Sequence, residues 1–196
     1  MQKPGGIELA NRWVRLRPIR LEEAPAYLEI GRAPEIWRYL TPRPFERVAD
    51  AERWILAMQD RSQRHGDVTF SVYDLESGRL AGSTSFLEVR PEHAGLEIGF
   101  TWYGTDFWRS HVNTATKLAL LTHAFEVLGA NRVQLQTDLR NQNSQRAIAR
   151  LGAQREGVLR RHKVYPDGYV RDSVMFSVIV DEWPAVKQGL LDKLDR

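Results

Sequence analysis

The chain has 196 residues, of which 42% are hydrophobic and 27% are charged, and its formal net charge is +3. This balance is ordinary for a globular protein and excludes disordered and fibrous classes, while the lack of a clustered basic face argues against nucleic-acid binding. The absence of cysteine excludes disulfides, thiolate metal sites and an acyl-cysteine intermediate.

The N-terminal third predicts one strand followed by two helices. Residues 7–20 alternate around Val14, Leu16 and Ile19, which is the spacing of a half-buried strand. Residues 21–31 and 45–64 have helical spacing, and Pro42-Arg-Pro between them is typical of a loop.

Three strands come next, at 68–73, 80–89 and 96–103. The first two are joined at Glu76-Ser-Gly, which is a hairpin signal, so the three are expected to be antiparallel in succession.

A helix over 113–128 and a strand over 132–137 follow. One broad apolar face of the helix is expected to pack on the sheet, with Lys117 and Glu126 in solvent and Gly129 as the C-terminal cap. The strand, helix and strand form a crossover, so 96–103 and 132–137 are predicted to be parallel neighbours.

The chain ends with a hairpin and a helix. Residues 154–164 and 170–180 flank the turn Pro166-Asp-Gly, and 182–194 form the terminal helix. The fold class is therefore α/β (α+β), a mixed and mostly antiparallel sheet of about seven strands flanked by helices. We expect a single domain over residues 1–196.

The turn from Arg109 to Thr114 is the candidate phosphate site. A strand stops just before a helix there, so free backbone N–H groups and the positive end of the helix dipole converge on one spot, next to an arginine. The site predicts a cofactor that carries phosphate.

The order of motifs resembles a known family. A strand, the turn Trp108-Arg-Ser-His-Val-Asn, a long helix, a strand and then Asn141-Gln-Asn-Ser-Gln-Arg-Ala before Leu151-Gly are similar to the GCN5-related N-acetyltransferases (GNAT), and Arg155-Glu-Gly-Val-Leu-Arg with the hairpin is similar to their Rim-type branch. The resemblance implies a sheet splayed between strands 4 and 5, where the pantetheine arm of acetyl-CoA lies.

The resemblance also implies that the turn contacts the cofactor, through Arg109, Ser110, His111, Val112, Asn113 and Thr114. The family usually has glycines where His111 and Asn113 stand. His111 either donates to phosphate, shapes the groove or is an exposed loop histidine.

Asn143 and Ser144 are the next candidates. In the resembled branch an asparagine here bonds the pantetheine and a serine protonates the leaving thiolate, and the tyrosine of many relatives is absent from this chain. Both are also good N-cap residues, so a purely structural cap is the alternative.

Glu97 resembles the family's frequent base position. Its alternative role is an ion pair with a nearby arginine on the strand face. Four aromatic residues either floor a substrate groove or belong to the core, namely Trp37, Trp102, Phe107 and Trp108.

The resemblance implies an enzyme that moves an acetyl group from acetyl-CoA to a primary amine by direct attack. The amine could be a protein N-terminus, an aminoglycoside, a polyamine or a free amino acid, and a non-catalytic binder of acyl-CoA or a peptide is the alternative. No metal is expected, because the five histidines are scattered. The absence of a signal peptide and of long apolar runs predicts a cytoplasmic protein without membrane contact, and the resemblance suggests a homodimer.

Overall fold

The structure, a computed structural model, describes residues 1–40 and 44–195. The predicted loop at Pro42 and Arg43 lies outside the described residues. The strands are β1 Leu9–Ala10, β2 Val14–Pro18, β3 Val68–Asp74, β4 Leu80–Arg90, β5 Gly95–Tyr103, β6 Arg132–Asp138, β7 Gln154–Val164 and β8 Val170–Ile179. The helices are α1 Ala24–Ile30, α2 Pro34–Trp37, α3 Val48–His65, α4 Val112–Thr122, α5 Gln142–Arg150 and α6 Trp183–Leu194.

All eight strands belong to one sheet in the order β1-β2-β3-β4-β5-β6-β8-β7. Among these strands only β5 and β6 pair in parallel, which confirms the predicted crossover and the mixed, mostly antiparallel sheet. The sheet has one strand more than expected because the predicted strand 7–20 is broken by a turn. The Asn11 side chain accepts hydrogen bonds from the N–H groups of Trp13 and Val14, both at 3.0 Å, and folds β1 back onto β2.

Helices cover both faces of the sheet. Helix α4 contacts β1, β2 and α6 on one face, whereas α1 and α3 contact β4 and β3 on the other. Each face has its own apolar core, one containing Leu120 and Leu190 and the other containing Tyr27 and Trp54. Within the described ranges no helix is both long and apolar enough to cross a membrane.

The crossover helix departs from its prediction in two respects. Its α-helical part ends at Thr122 and continues as a π-helical turn over His123–Val127, after which Gly129 adopts φ +72° as the expected cap. The prediction that Lys117 lies in solvent is wrong, since Lys117 is only 4% exposed and points into the sheet. Glu126 is exposed, as predicted.

Most of the candidate groove aromatics belong to the core. Trp37, Trp102 and Phe107 are buried, and Trp37 and Trp102 pack together with a centroid separation of 4.8 Å. Trp108 is 47% exposed and donates its indole N–H to the carbonyl of Tyr103 at 2.9 Å. The core interpretation is therefore correct for three of the four aromatics.

Candidate functional site

The two parallel strands β5 and β6 separate after a short ladder. They pair only from Gly95 to Glu97 on β5 and from Arg132 to Gln134 on β6. A bulge then bends β5, with Phe100 at φ +47° and a register shift against β4. Beyond Glu97 the two strands no longer pair with each other, and no other described strand pairs with the backbone groups that face the gap. The predicted splay is therefore present between these strands.

The bulge also reverses which side chains of β5 face which helices. Thr101 contacts Lys117 on α4, whereas Trp102 joins the core under α1 and α3. Upstream of the bulge, Ile98 packs in the α4 core and Glu97 faces the opposite side. The extra residue thus places Glu97 and Trp102 on the same face of the sheet.

Helix α4 begins at the carboxyl end of β5, beside this gap. Ser110 Oγ donates to the Phe107 carbonyl at 2.7 Å and accepts from the Val112 N–H at 3.2 Å, which fixes the turn. The N–H groups of Asn113 and Thr114 make no hydrogen bond with any described residue. Arg109 is exposed at the start of the turn, with φ +60°. Two free donors, a helix dipole and a cation therefore suit a phosphate.

His111 anchors this turn to the neighbouring hairpin. Its Nε2 lies 2.9 Å from Asp74 Oδ1, and the imidazole is partly buried, so His111 is not an exposed loop histidine. Burial would raise the pKa of the Asp74 carboxyl, but hydrogen bonds from Ser77 and His111 outweigh it and hold that pKa below its usual value. His111 stands where the resembled family usually has a glycine, and its side chain contacts Asp74 of the same chain.

Helix α5 begins at the carboxyl end of β6, at the same edge of the sheet as α4. Its N-cap is Asn141, whose Oδ1 accepts from the Ser144 N–H at 3.0 Å, so the alternative in which Asn143 or Ser144 is the cap is wrong. Asn143 is exposed and accepts from Arg146. The Ser144 hydroxyl has no partner among the described residues, which leaves it available for another molecule.

Glu97 is a buried carboxylate at the point where the strands separate. Its Oε2 accepts from the side-chain amides of Gln134 at 3.0 Å and Gln136 at 2.6 Å, and it is 3% exposed. No described basic side chain forms a salt bridge with it, so the ion-pair alternative is wrong. A Cβ on Gly99 would lie 2.8 Å from Glu97 Oε1, so this glycine leaves room for the carboxylate.

A polar tract continues from Glu97 across β6 to the β7–β8 hairpin. The Gln136 amide donates to Glu97 and accepts from Arg171 Nη2 at 3.5 Å, while Arg171 Nη1 donates to the Tyr165 hydroxyl at 2.9 Å. Lys163 pairs with Arg171 across the hairpin, and burial lowers the pKa of its ammonium. Sequence reasoning missed these residues, although the alternating glutamines of β6 were a signal of a polar face.

Lys117 was also missed as a buried polar group. Its Nζ donates to Thr101 Oγ1 at 2.7 Å and to Thr84 Oγ1 at 3.4 Å, directly behind the bulge. Burial lowers the pKa of this ammonium to about 7. Within residues 1–40 and 44–195 no group of three or more metal-ligating side chains occurs.

Comparisons with known proteins agree with this geometry. A family model described as an acetyltransferase (GNAT) domain matches residues 14–154. A crystal structure from T. thermophilus, assigned as an acetyltransferase, is 40% identical, with a TM-score of 0.88 over 97% of this chain and 98% of that chain.

Two further proteins extend the comparison. The uncharacterized N-acetyltransferase p20 of Bacillus licheniformis is 27% identical over 168 residues, which is 86% of this chain and 93% of p20. Mycobacterium smegmatis RimJ in complex with CoA-disulfide is 20% identical, with a TM-score of 0.81 over 98% of this chain and 97% of RimJ, and it shows a shared fold.

Proposed function

Because the chain belongs to the GNAT family of acetyltransferases, we propose that it transfers an acetyl group from acetyl-CoA to a primary amine by direct attack. The observation that carries this proposal is the gap between β5 and β6. A phosphate-type turn lies at the carboxyl end of one strand, a free serine hydroxyl follows the other, and a buried carboxylate stands where they part.

The donor molecule fits this gap. The N–H groups of Asn113 and Thr114, with Arg109, would hold the pyrophosphate, and Ser110 would stabilise the turn. The backbone groups of β5 and β6 that face the gap would hydrogen-bond the amides of the pantetheine arm, and Asn143 offers an exposed side-chain amide in the first turn of α5. The predicted contacts from His111 and Val112 are indirect, since one binds Asp74 and the other donates to Ser110.

Acetyl-CoA supplies an activated thioester. The amine nitrogen attacks the thioester carbonyl carbon, a C–N bond forms, the C–S bond breaks and the CoA thiolate leaves. We assign Glu97 to accept the amine proton, directly or through a water, and Ser144 to donate a proton to the thiolate. Burial of Glu97 beside two amide donors keeps its carboxylate in a fixed orientation.

The test combines binding and turnover. Calorimetry with CoA and with pantetheine, which lacks the phosphates, should give at least ~10-fold tighter binding of CoA. Arg109→Gln should weaken the binding of CoA but not the binding of pantetheine. Arg155→Gln, another exposed arginine, is the control. Equal affinity for both compounds would remove the phosphate argument. CoA binding without thiol release from acetyl-CoA, for any amine, would indicate a non-catalytic binding module instead.

Assignment to the Rim-type branch, a homodimer and a cytoplasmic location are parts of the same proposal. One apolar face of α6 is covered within the chain and is not available to a dimer, since Trp183 and Leu190 are buried. A dimer would instead use exposed apolar residues such as Leu159 and Val164 on the edge strand β7. Light scattering should then give twice the chain mass of 22.6 kDa, and a mass equal to one chain would refute the dimer.

A further inference from the structure

We propose that the acceptor amine carries a carboxylate a few atoms from its reacting nitrogen, and that Arg171 and Lys163 bind this carboxylate. The inference rests on the proposed function, in which the amine approaches Glu97. It names the chemical class of acceptor that the polar tract fits.

Arg171 is a buried cation whose hydrogen bonds are incomplete. It is 8% exposed, and among the described residues its guanidinium hydrogen-bonds only neutral groups, the Tyr165 hydroxyl at 2.9 Å and the Gln136 carbonyl at a long 3.5 Å. Its Nε has no hydrogen-bond partner within this part of the chain, and no described carboxylate lies within salt-bridge distance. A buried charge without a carboxylate in direct contact is costly, so the site is suited to an anion that arrives with a ligand.

The carboxylates nearest in the sequence or the network are already engaged. Asp172 accepts from the N–H of Arg161, and Asp138 accepts from the guanidinium and N–H of Arg140. Glu97 is held by two glutamine amides. The described part of the chain therefore supplies no carboxylate in direct contact with Arg171.

Lys163 places a second positive charge at the same location. It is directly opposite Arg171 across β7 and β8, and no described carboxylate forms a salt bridge with it. Like charges at directly opposed positions of a sheet destabilise it. An anion bound by both side chains would remove this repulsion and gain two charge-assisted hydrogen bonds.

The position of this cation pair relative to Glu97 sets the size of the acceptor. One amide group, that of Gln136, lies between them, 2.6 Å from Glu97 Oε2 and 3.5 Å from Arg171 Nη2. An amine hydrogen-bonded to Glu97 and a carboxylate hydrogen-bonded to Arg171 can therefore belong to a single amino acid or to the first two residues of a chain. Free α-amino acids and chain N-termini with an acidic residue at the first or second position have this arrangement.

The same charges disfavour other amines. Aminoglycosides and polyamines carry several positive charges, and these would lie against Arg171 and Lys163 without compensation. Among the acceptors that the sequence leaves open, the structure therefore favours those with a carboxylate.

The experiment measures CoA release with pairs of acceptors in which a carboxylate is present in one member and replaced by a neutral amide in the other. One pair is L-alanine and L-alaninamide, with rates expressed per neutral amine because their amine pKa values differ. The second pair is two C-terminally amidated tripeptides that contain aspartate or asparagine after an N-terminal serine. We expect kcat/KM to be at least ~10-fold higher for the carboxylate in one or both pairs, since a charge-assisted hydrogen bond is lost in the neutral acceptor. The pair that responds identifies the source, a free amino acid or a chain N-terminus.

Variants test the residues. Arg171→Gln should abolish the preference for the carboxylate, Lys163→Gln should reduce it, and Arg171→Lys should retain part of it. Arg160→Gln removes an exposed charge from the same hairpin and should change nothing. An unchanged CoA affinity would show that Arg171→Gln is folded, and if it does not fold, the acceptor pairs and Lys163→Gln decide.

Two outcomes overturn the inference and are distinguishable. Turnover of neutral and carboxylated acceptors at equal rates, or a preference that survives both Arg171→Gln and Lys163→Gln, would refute the carboxylate site and leave the acetyltransferase intact. The absence of CoA release with every acceptor would refute the proposed function and the inference together.

Discussion

At the scale of single residues, Glu97 is a buried carboxylate that accepts from two amide donors and forms no salt bridge with a described cation. If it accepts the amine proton, Glu97→Gln should lower kcat/KM by about 100-fold at neutral pH, as expected for loss of a general base. The variant should also lose the part of the pH–rate profile that belongs to the base.

The measurement is kcat/KM against pH with two acceptors of different amine pKa, because deprotonation of the amine gives a similar profile. Glu88→Gln is the matched control, since Glu88 is exposed and also accepts from Gln134, at 3.2 Å. A profile that follows the acceptor's pKa and an unchanged rate in Glu97→Gln would show that the enzyme acts by proximity alone.

Lys117 should make the stability of the chain depend on pH. Burial lowers the pKa of its ammonium from 10.5 to about 7, so between these pH values the unfolded chain binds a proton that the folded chain has lost. The free energy of unfolding therefore rises with pH across this window, by up to about 1.4 kcal/mol per pH unit from this group. Below pH 7 the cost of burying the charge is constant.

Lys117→Met should remove this rise and be more stable than the natural chain at pH 7, because Thr84 and Thr101 keep their mutual hydrogen bond of 2.8 Å. Urea unfolding of both proteins between pH 7 and 9.5 measures the difference, and Lys3→Met, at an exposed lysine, is the control. Parallel curves for the natural chain and Lys117→Met would contradict the buried, shifted amine.

At the scale of elements, the start of α5 separates stability from catalysis. Asn141 is the N-cap, so Asn141→Ala should cost about 1 kcal/mol of unfolding free energy. Ser144 contributes only its backbone N–H to the cap, which alanine retains, so Ser144→Ala should leave stability within about 0.5 kcal/mol while kcat falls. Urea unfolding and turnover of both variants provide the test, and a stability loss in Ser144→Ala with normal kcat would make the serine structural.

The strand and helix pattern of this region was predictable because it depends on local periodicity. The β5–α4–β6 crossover and the hairpin at Pro166-Asp-Gly follow from spacing and turn residues, and both are present. The cap of α5 was misplaced because Asn141 and Asn143 are equally good cap types, and only the hydrogen bond to Ser144 distinguishes them. Burial of Lys117 depends on threonines from two other strands, which helical periodicity does not report.

The candidate site was predictable only in part, because its contacts join strands that are distant in the sequence. Glu97 was identified because its place on the strand resembles the family's base position, but its partners Gln134 and Gln136 come from the next parallel strand. Arg171 lies 35 residues from Gln136 in the sequence, and its lack of a contacting carboxylate becomes evident only when the surrounding carboxylates are located. Contacts of this kind depend on sheet register rather than on local sequence.

At the scale of the whole molecule, the sheet consists of two halves joined by a short ladder. Strands β1 to β5 form one half and β6, β8 and β7 form the other. Among the described strands, their backbones pair through three residues on each side, Gly95–Glu97 and Arg132–Gln134. A molecule that hydrogen-bonds to the backbones of both β5 and β6 would take the place of the strand pairing that is absent beyond Glu97. Binding of the proposed donor should therefore stabilise the junction of the two halves.

This argument gives a prediction for hydrogen exchange. CoA should slow amide exchange in residues 98–103 of β5 and 135–138 of β6, which border the gap, and leave β2 and β3 unchanged as an internal control. At a CoA concentration 100 times its Kd, linkage adds about 2.7 kcal/mol of stability, which is roughly a 5 to 10 °C rise in Tm for a chain of this size. The nucleotide portion of CoA without the pantetheine arm should protect only the start of α4. Equal protection of the gap by this nucleotide and by CoA would show that the arm does not lie between β5 and β6.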